Sequence, residues 1–364
     1  MSNTFPMPAN LLRPASDTKR LQSLDLIKGL LMLLVIIDHT SVASPWKDTR
    51  IYSMFEHLEV PAFFIVAGYW FSHKSSLKHF LINKANRLMI PLIFFMVLSF
   101  GYDLAISFIE GNADFSLGGG IHALLHNRVN YPLWFIRAIF VALIILYGIS
   151  RISTAGRDTP PSEFPRLIAV ISFMLLSNLI IIPMLYNQSH SQSFLSSYLC
   201  IPQALQMVPL IYLGVIAGHY RVLELKVSPF VLMTLAVIGA AGCYMLAGYN
   251  DLHLDARTTG NFAEFYGAAF FGGLFLFSIA PLIGHLPLIN YLGANSLIVV
   301  GIHAIPIHLG EYAGIAEGWP IFLLTLLCLP LLIELLTKYF PHFTAQRALI
   351  YFPRFSRSLS KQNM

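Results

Sequence analysis

Charge is scarce in this sequence: Asp, Glu, Lys and Arg make up 11% of its 364 residues, against roughly 25% in an ordinary soluble domain. With 56% hydrophobic residues, the chain cannot coat a soluble surface with polar groups, and nothing in it resembles a nucleic-acid-binding module. Cysteine is nearly absent. Cys200, Cys243 and Cys328 lie in or beside apolar stretches with no C-x-x-C spacing, which excludes a disulfide framework and a zinc knuckle and leaves them as small packing residues. No charged start followed by a short apolar run and an A-x-A site opens the chain, so no cleaved leader is expected. The loops are too short for a separate soluble domain: 109–132, 151–166 and 187–202 are brief and rich in Gly, Asn, Ser or Pro. No internal repeat stands out at a solenoid period or between the two halves.

Long apolar runs fill the remainder. Runs near the 20 residues that cross a bilayer as helix fall at about 24–43, 58–73, 88–108, 133–150, 165–186, 203–220, 228–248, 262–281, 288–308 and 319–340. The expected fold is all-α, a polytopic transmembrane bundle of about ten spans. If the N-terminus is cytoplasmic, seventeen Lys and Arg flank the spans on that side and four on the other, so the positive-inside bias puts both termini in the cytoplasm. The net charge of +5 is then a topology signal before it is a sign of an acidic partner. The expected organisation is a cytoplasmic tail over 1–20, a membrane domain over 21–340, and a basic, aromatic tail over 341–364 suited to an anionic leaflet.

One span contradicts its own apolarity. "SLDLIKGLLMLLVIIDHT" (23–40) carries Lys28 near its start and Asp38 and His39 near its end, where each charge costs a few kcal/mol to bury. Eleven residues separate Lys28 from His39, so on a helix they share a face, about 20° apart in direction and about 16 Å apart along the axis. A cation near one membrane face and a proton acceptor nearer the other suit a site reached from two sides, an anionic cofactor entering at one end and an acceptor at the other. An imidazole can take a proton from an attacking hydroxyl and return it to a leaving thiolate. Asp38, the other candidate catalytic group, points about 100° away from His39 and is free to meet another helix. The structural alternatives are snorkelling for Lys28 and an interhelical hydrogen bond for His39.

Other ionisable groups carry the same choice between a functional and a structural role. Arg137, one turn after Trp134 in the fourth span, would grip a carboxylate or phosphate in bidentate fashion or pair with Asp103, Glu59 or Glu264 to fix packing. Glu56, His57 and Glu59 crowd the outer start of the second span; Glu59 is the pocket candidate, and a hydrated helix end explains Glu56 and His57 equally well. His303 is a pocket candidate, whereas His308, about 140° around the helix, suits an interface. Glu334 sits one turn from Lys338. His122 and His126 have i, i+4 spacing without the Glu of H-E-x-x-H, so no metal is expected. "DLHLD" (251–255) reads as a solvated loop and "GGG" (118–120) as a turn.

Taken in order, these segments resemble the membrane-bound acyltransferase-3 family. "LDLIKGLLMLLVIIDH" matches its Arg/Lys, ten residues, His signature through Lys28 and His39. "EVPAFFIVAGYWF" (59–71), "NKANRLMIPLIFF" (83–95), "YPLWFIRAIFV" (131–141), "YLGVIAGHY" (212–220) and "LGANSLIVVGIHAIPI" (292–307) resemble its later segments in the same sequence order. The likeness covers about residues 20–340. It implies a ten-span acyltransferase of the cell inner membrane that takes an acyl group, commonly acetyl from acetyl-CoA, and places it on a hydroxyl of a surface glycan, with no bound cofactor. By that likeness His39 is the base or acyl carrier, and Lys28 binds CoA phosphate. Glu59 replaces the usual His of the second motif, and Ala67 the Ser before Gly68. Both bear on which acceptor is used and on whether transfer is retained. Two rivals stand beside this reading: a proton-coupled transporter using Asp38, His39 and Arg137, and a non-catalytic membrane partner on the same scaffold.

Overall fold

A computed structural model describes residues 18–109, 118, 133–154, 163–187, 199–248 and 261–351. Among them the chain is all-helical. In chain order the helices are α1 (Thr18–His39), α2 (Arg50–Tyr69), α3 (Leu77–Lys84), α4 (Ile90–Ile109), α5 (Trp134–Thr154), α6 (Glu163–Leu176), α7 (Ile182–Asn187) and α8 (Ile201–His219), followed by α9 (Pro229–Ala247), α10 (Phe262–Ile283), α11 (Pro287–Ala294), α12 (Ser296–Ile302), α13 (Ala304–Tyr312) and α14 (Trp319–Tyr339). Single π-turns over Ala85–Met89 and Ser177–Ile181 join α3 to α4 and α6 to α7.

Local chemistry sets the starts. Thr49, Ser76, Ser228 and Asn261 each accept a backbone N–H in the first turn of α2, α3, α9 and α10, satisfying donors the helix cannot. Proline in the first turn of α8, α9, α11 and α14 removes another such donor.

Among the described residues, seven helices are long and apolar enough to cross a membrane, and the bent α11–α13 segment makes up to eight. The two long helices outside that set, α1 and α2, carry Asp25, Lys28 and Asp38, and Arg50, Glu56 and Glu59. They are too polar to qualify by composition. The expected ninth span is not one straight helix: its path bends by 80° at Asn295. There the Asn295 side chain donates back to the Tyr291 carbonyl (3.0 Å), and the chain turns again at His303.

Backbone contact between helices holds the bundle. Gly68 and Gly214 face the carbonyls of Ile211 and Ile65, and Gly218 faces that of Tyr69, so any Cβ there would collide with α2 or α8. Gly214 and Gly218 form a G-x-x-x-G pair, which lets helices approach closely where apolar surfaces alone supply no drive in lipid. Gly29 and Gly293 do the same between α1 and α11, and Asn290 adds a side-chain bond to the Gln22 carbonyl (2.7 Å). The most apolar stretch of the α8 span is 72% buried, against 17% for the α6–α7 span and 22% for α9. α8 is therefore the central post, and the other two offer their sides to lipid. Beyond α14, Asn86 accepts from the backbones of Leu349 and Ile350 (both 2.8 Å) and donates to the Ile350 carbonyl (2.9 Å), docking the C-terminal segment on the π-turn. Among the described residues, none of Cys200, Cys243 and Cys328 forms a disulfide.

Candidate functional site

His39 is the last residue of α1, and its side chain is 34% exposed. Its Nδ1 lies 2.8 Å from the Val35 carbonyl. A carbonyl only accepts, so Nδ1 carries the proton and Nε2 presents a lone pair. The helix end is fixed around it: Thr40 Oγ1 donates to the Ile36 carbonyl (2.7 Å), and the Gly318 amide donates to the Thr40 carbonyl (2.9 Å), tying the start of α14 to the end of α1.

The breaks in α11–α13 bring His303 to the same place. Its ring stands edge-to-face with that of His39, centroids 5.0 Å apart and planes at 88°. His303 is fully buried, and its Nδ1 sits 3.1 and 3.0 Å from the carbonyls of Val299 and Val300. The same tautomer follows, and its Nε2 has no hydrogen-bond partner. Two imidazoles from residues 264 positions apart thus meet with both Nε2 atoms unprotonated.

Asp38 meets another helix. Its Oδ1 accepts from the Tyr52 hydroxyl of α2 at 2.5 Å, while Oδ2 is 4.0 Å from His39 Nδ1, too far for a hydrogen bond. The Val35 carbonyl, not Asp38, orients the His39 ring. Tyr52 was not singled out from the sequence, although its spacing to Glu56 and Glu59, i, i+4, i+7, places all three on one helix face. Asp38, Glu56 and Glu59 lie within electrostatic range of one another there, with Glu59 half-buried. His57 is not on a hydrated helix end. It is fully buried, with Nδ1 2.8 Å from the Ser53 carbonyl and its ring 6.3 Å from that of Phe265 on α10. One residue from Glu56 rotates it about 100° away, toward the helix packed behind α2.

Lys28 has a carboxylate of its own. Asp25, one turn earlier, lies 2.6 Å from its Nζ, a pairing legible in the i, i+3 spacing but missed because the lysine was read toward a ligand. Arg137 is buried on α5. The first turn of α5 touches α2 through Phe135 and Phe63, centroids 5.7 Å apart, one turn along α2 from Glu59. The structure thus places Asp38, His39 and His303 together, sets Glu59 on the adjoining face, and keeps Lys28 about half the length of α1 away.

A second polar cluster lies elsewhere. Arg166 Nη1 donates to both carboxylate oxygens of Glu163 (2.9 and 3.0 Å), and its Nη2 is 3.4 Å from His73 Nε2. The Tyr212 hydroxyl donates to the Glu163 carbonyl (3.2 Å). Burial, then the Arg166 charge, pushes the His73 imidazole below its usual range. In the sequence Arg166 counts only toward topology, and His73 carries no signal of its own. Among the described residues, no group of three or more His, Cys, Asp or Glu converges to hold a metal. His122, His126 and the 251–255 stretch lie outside the described residues.

A family model described as an acyltransferase domain matches residues 21–339. No curated protein and no solved structure matches the chain.

Proposed function

The chain belongs to this acyltransferase family, and from that premise we propose that it moves an acyl group, acetyl in the first instance, from acyl-CoA to a hydroxyl of an extracytoplasmic carbohydrate or related acceptor. The observation that carries the reading is His39: its Nδ1–H is held by the Val35 carbonyl, so an Nε2 lone pair stands on a partly exposed ring at one end of α1. In the proposed reaction the acceptor oxygen attacks the thioester carbonyl as its proton passes to His39 Nε2. The C–O bond forms, the C–S bond breaks, and Nε2–H returns the proton to the CoA thiolate. No charge remains on the enzyme at the end.

Lys28, about 16 Å along α1, is assigned to the donor end, where CoA phosphates compete with Asp25 for its ammonium. Arg137 is the second candidate for donor binding, and Glu59 faces the acceptor. Counting α1, α2 and the bent α11–α13 segment with the seven apolar helices gives ten crossings, an even number that returns the chain to its starting side. The Lys and Arg distribution supports a cytoplasmic location for that side, in a cell inner membrane.

The test is binding and turnover of acetyl-CoA by the purified protein in detergent. His39→Ala is expected to bind acetyl-CoA and lose at least about a hundredfold in turnover, the lower range for a general base. Retained turnover removes His39 as the base. The broken span at Asn295 favours one other reading, a transporter with a discontinuous helix at its site; substrate flux without acylation would select it.

A further inference from the structure

The acyl-transfer reading leaves one group beside His39 unused. His303 is fully buried, its Nδ1–H is committed to the carbonyls of Val299 and Val300, and its Nε2 can only accept. Among the described residues, nothing donates to it. A buried acceptor without a donor costs stability, and such groups persist where a ligand supplies the missing partner.

The surroundings are equally one-sided. His39 Nε2 is an acceptor, Asp38, Glu56 and Glu59 are carboxyl groups on the adjoining face, and the Tyr52 hydroxyl is already spent on Asp38. The site therefore asks its ligand for donors, and for more than one. The two rings are neighbours, centroids 5.0 Å apart, a separation that one small molecule carrying two adjacent hydroxyls can span with bonds about 2.8 Å long.

We propose that His303 Nε2 accepts a hydrogen bond from a second hydroxyl of the acyl acceptor while His39 Nε2 takes the first, so that the histidine pair selects a vicinal diol over a lone alcohol. This rests on the acyl-transfer reading. His303 is then a specificity residue: it touches the acceptor and takes no proton.

The experiment uses two alcohols of nearly equal shape, ethane-1,2-diol and propan-1-ol, offered together to the full-length protein with labelled acetyl-CoA. Ester yield is compared per hydroxyl, and acetate from hydrolysis is measured in the same tubes. Wild type is expected to favour the diol about three- to tenfold, the worth of one neutral hydrogen bond. His303→Phe brings the ratio to about one, and His303→Gln, which keeps an acceptor oxygen, stands between. A wild-type ratio of one overturns the proposal, whatever the variants do. So does a ratio unchanged in His303→Phe, or loss of both esters in equal proportion, which would make His303 a partner of His39 in the chemistry instead. Acetyl-CoA hydrolysis without any diol ester sinks this proposal and leaves acyl transfer standing. Neither ester nor hydrolysis sinks both.

Discussion

Alanine at Gly214 and at Gly148 should move stability in opposite directions, although both replace a glycine inside an apolar helix. In helix propensity alone each substitution gains about 1 kcal/mol. At Gly148 on α5 an added Cβ meets nothing within 4 Å, so the whole gain is expected. At Gly214 on α8 the Cβ falls on the Ile65 carbonyl oxygen and lies 3.0 Å from Gly68 Cα. Both obstacles are backbone, which cannot swing aside as a side chain does, so α2 and α8 must separate along their length. Forcing extra volume into a packed contact costs about 1–3 kcal/mol, and a backbone obstacle puts this case at the upper end. The two variants should therefore differ by about 3 kcal/mol, with Gly214→Ala the less stable. Equilibrium unfolding in mixed micelles, followed by tryptophan fluorescence, reads that difference directly. Equal shifts at the two positions would mean that α2 and α8 do not touch backbone to backbone, and the placement of Tyr52 and Glu59 against Asp38 would fall with that contact.

Two further outcomes follow from side chains around the site. In a double-mutant cycle of Tyr52→Phe with Asp38→Asn, unfolding should show a coupling of about 1.5 kcal/mol, the lower end for a hydrogen bond to a charged group because Asp38 is about a third exposed; additive effects would remove the α1–α2 tie. His73, whose neutral Nε2 receives the Arg166 guanidinium, titrates below its ordinary range in the fold. Protonation then favours the unfolded chain, so stability is full above the ordinary imidazole range and falls as pH drops through and below it. His73→Gln should flatten the melting temperature between pH 7.5 and 5, and an unchanged slope would assign the acid sensitivity to another group.

The parts of this molecule that were legible in its sequence are those set by composition along one segment. Apolar length located the seven apolar helices among the described residues, and the charges of α1 single out Lys28, Asp38 and His39 because ions are expensive in lipid. The same charges are why α1 and α2, which carry Asp38, His39 and Glu59, fall outside the apolar set. What stayed hidden depends on three-dimensional placement. "LGANSLIVVGIHAIPI" reads as one continuous apolar helix with no proline before the break, yet it bends at Asn295, and that bend decides where His303 lies. Arg166 enters the sequence reading only as one of the flanking Lys and Arg, and His73, 93 positions away, carries no signal there; the fold joins them. Tyr52 and Asp25 did leave a signal in their i, i+4 and i, i+3 spacings, but a spacing names a face without naming its partner.

The same distinction separates the two histidines. Sequence can nominate an imidazole, but whether it serves as a base or reads a substrate depends on which nitrogen is already bonded. His39 and His303 each commit Nδ1 to helix carbonyls, one for His39 and two for His303, and they differ in exposure: one ring is partly open, the other sealed from water. The exposed ring can shed its proton to a departing thiolate and begin again. A sealed ring that took a proton would hold an ion away from water, at a cost of several kcal/mol. Exposure therefore favours His39 over His303 for the proton transfer proposed above.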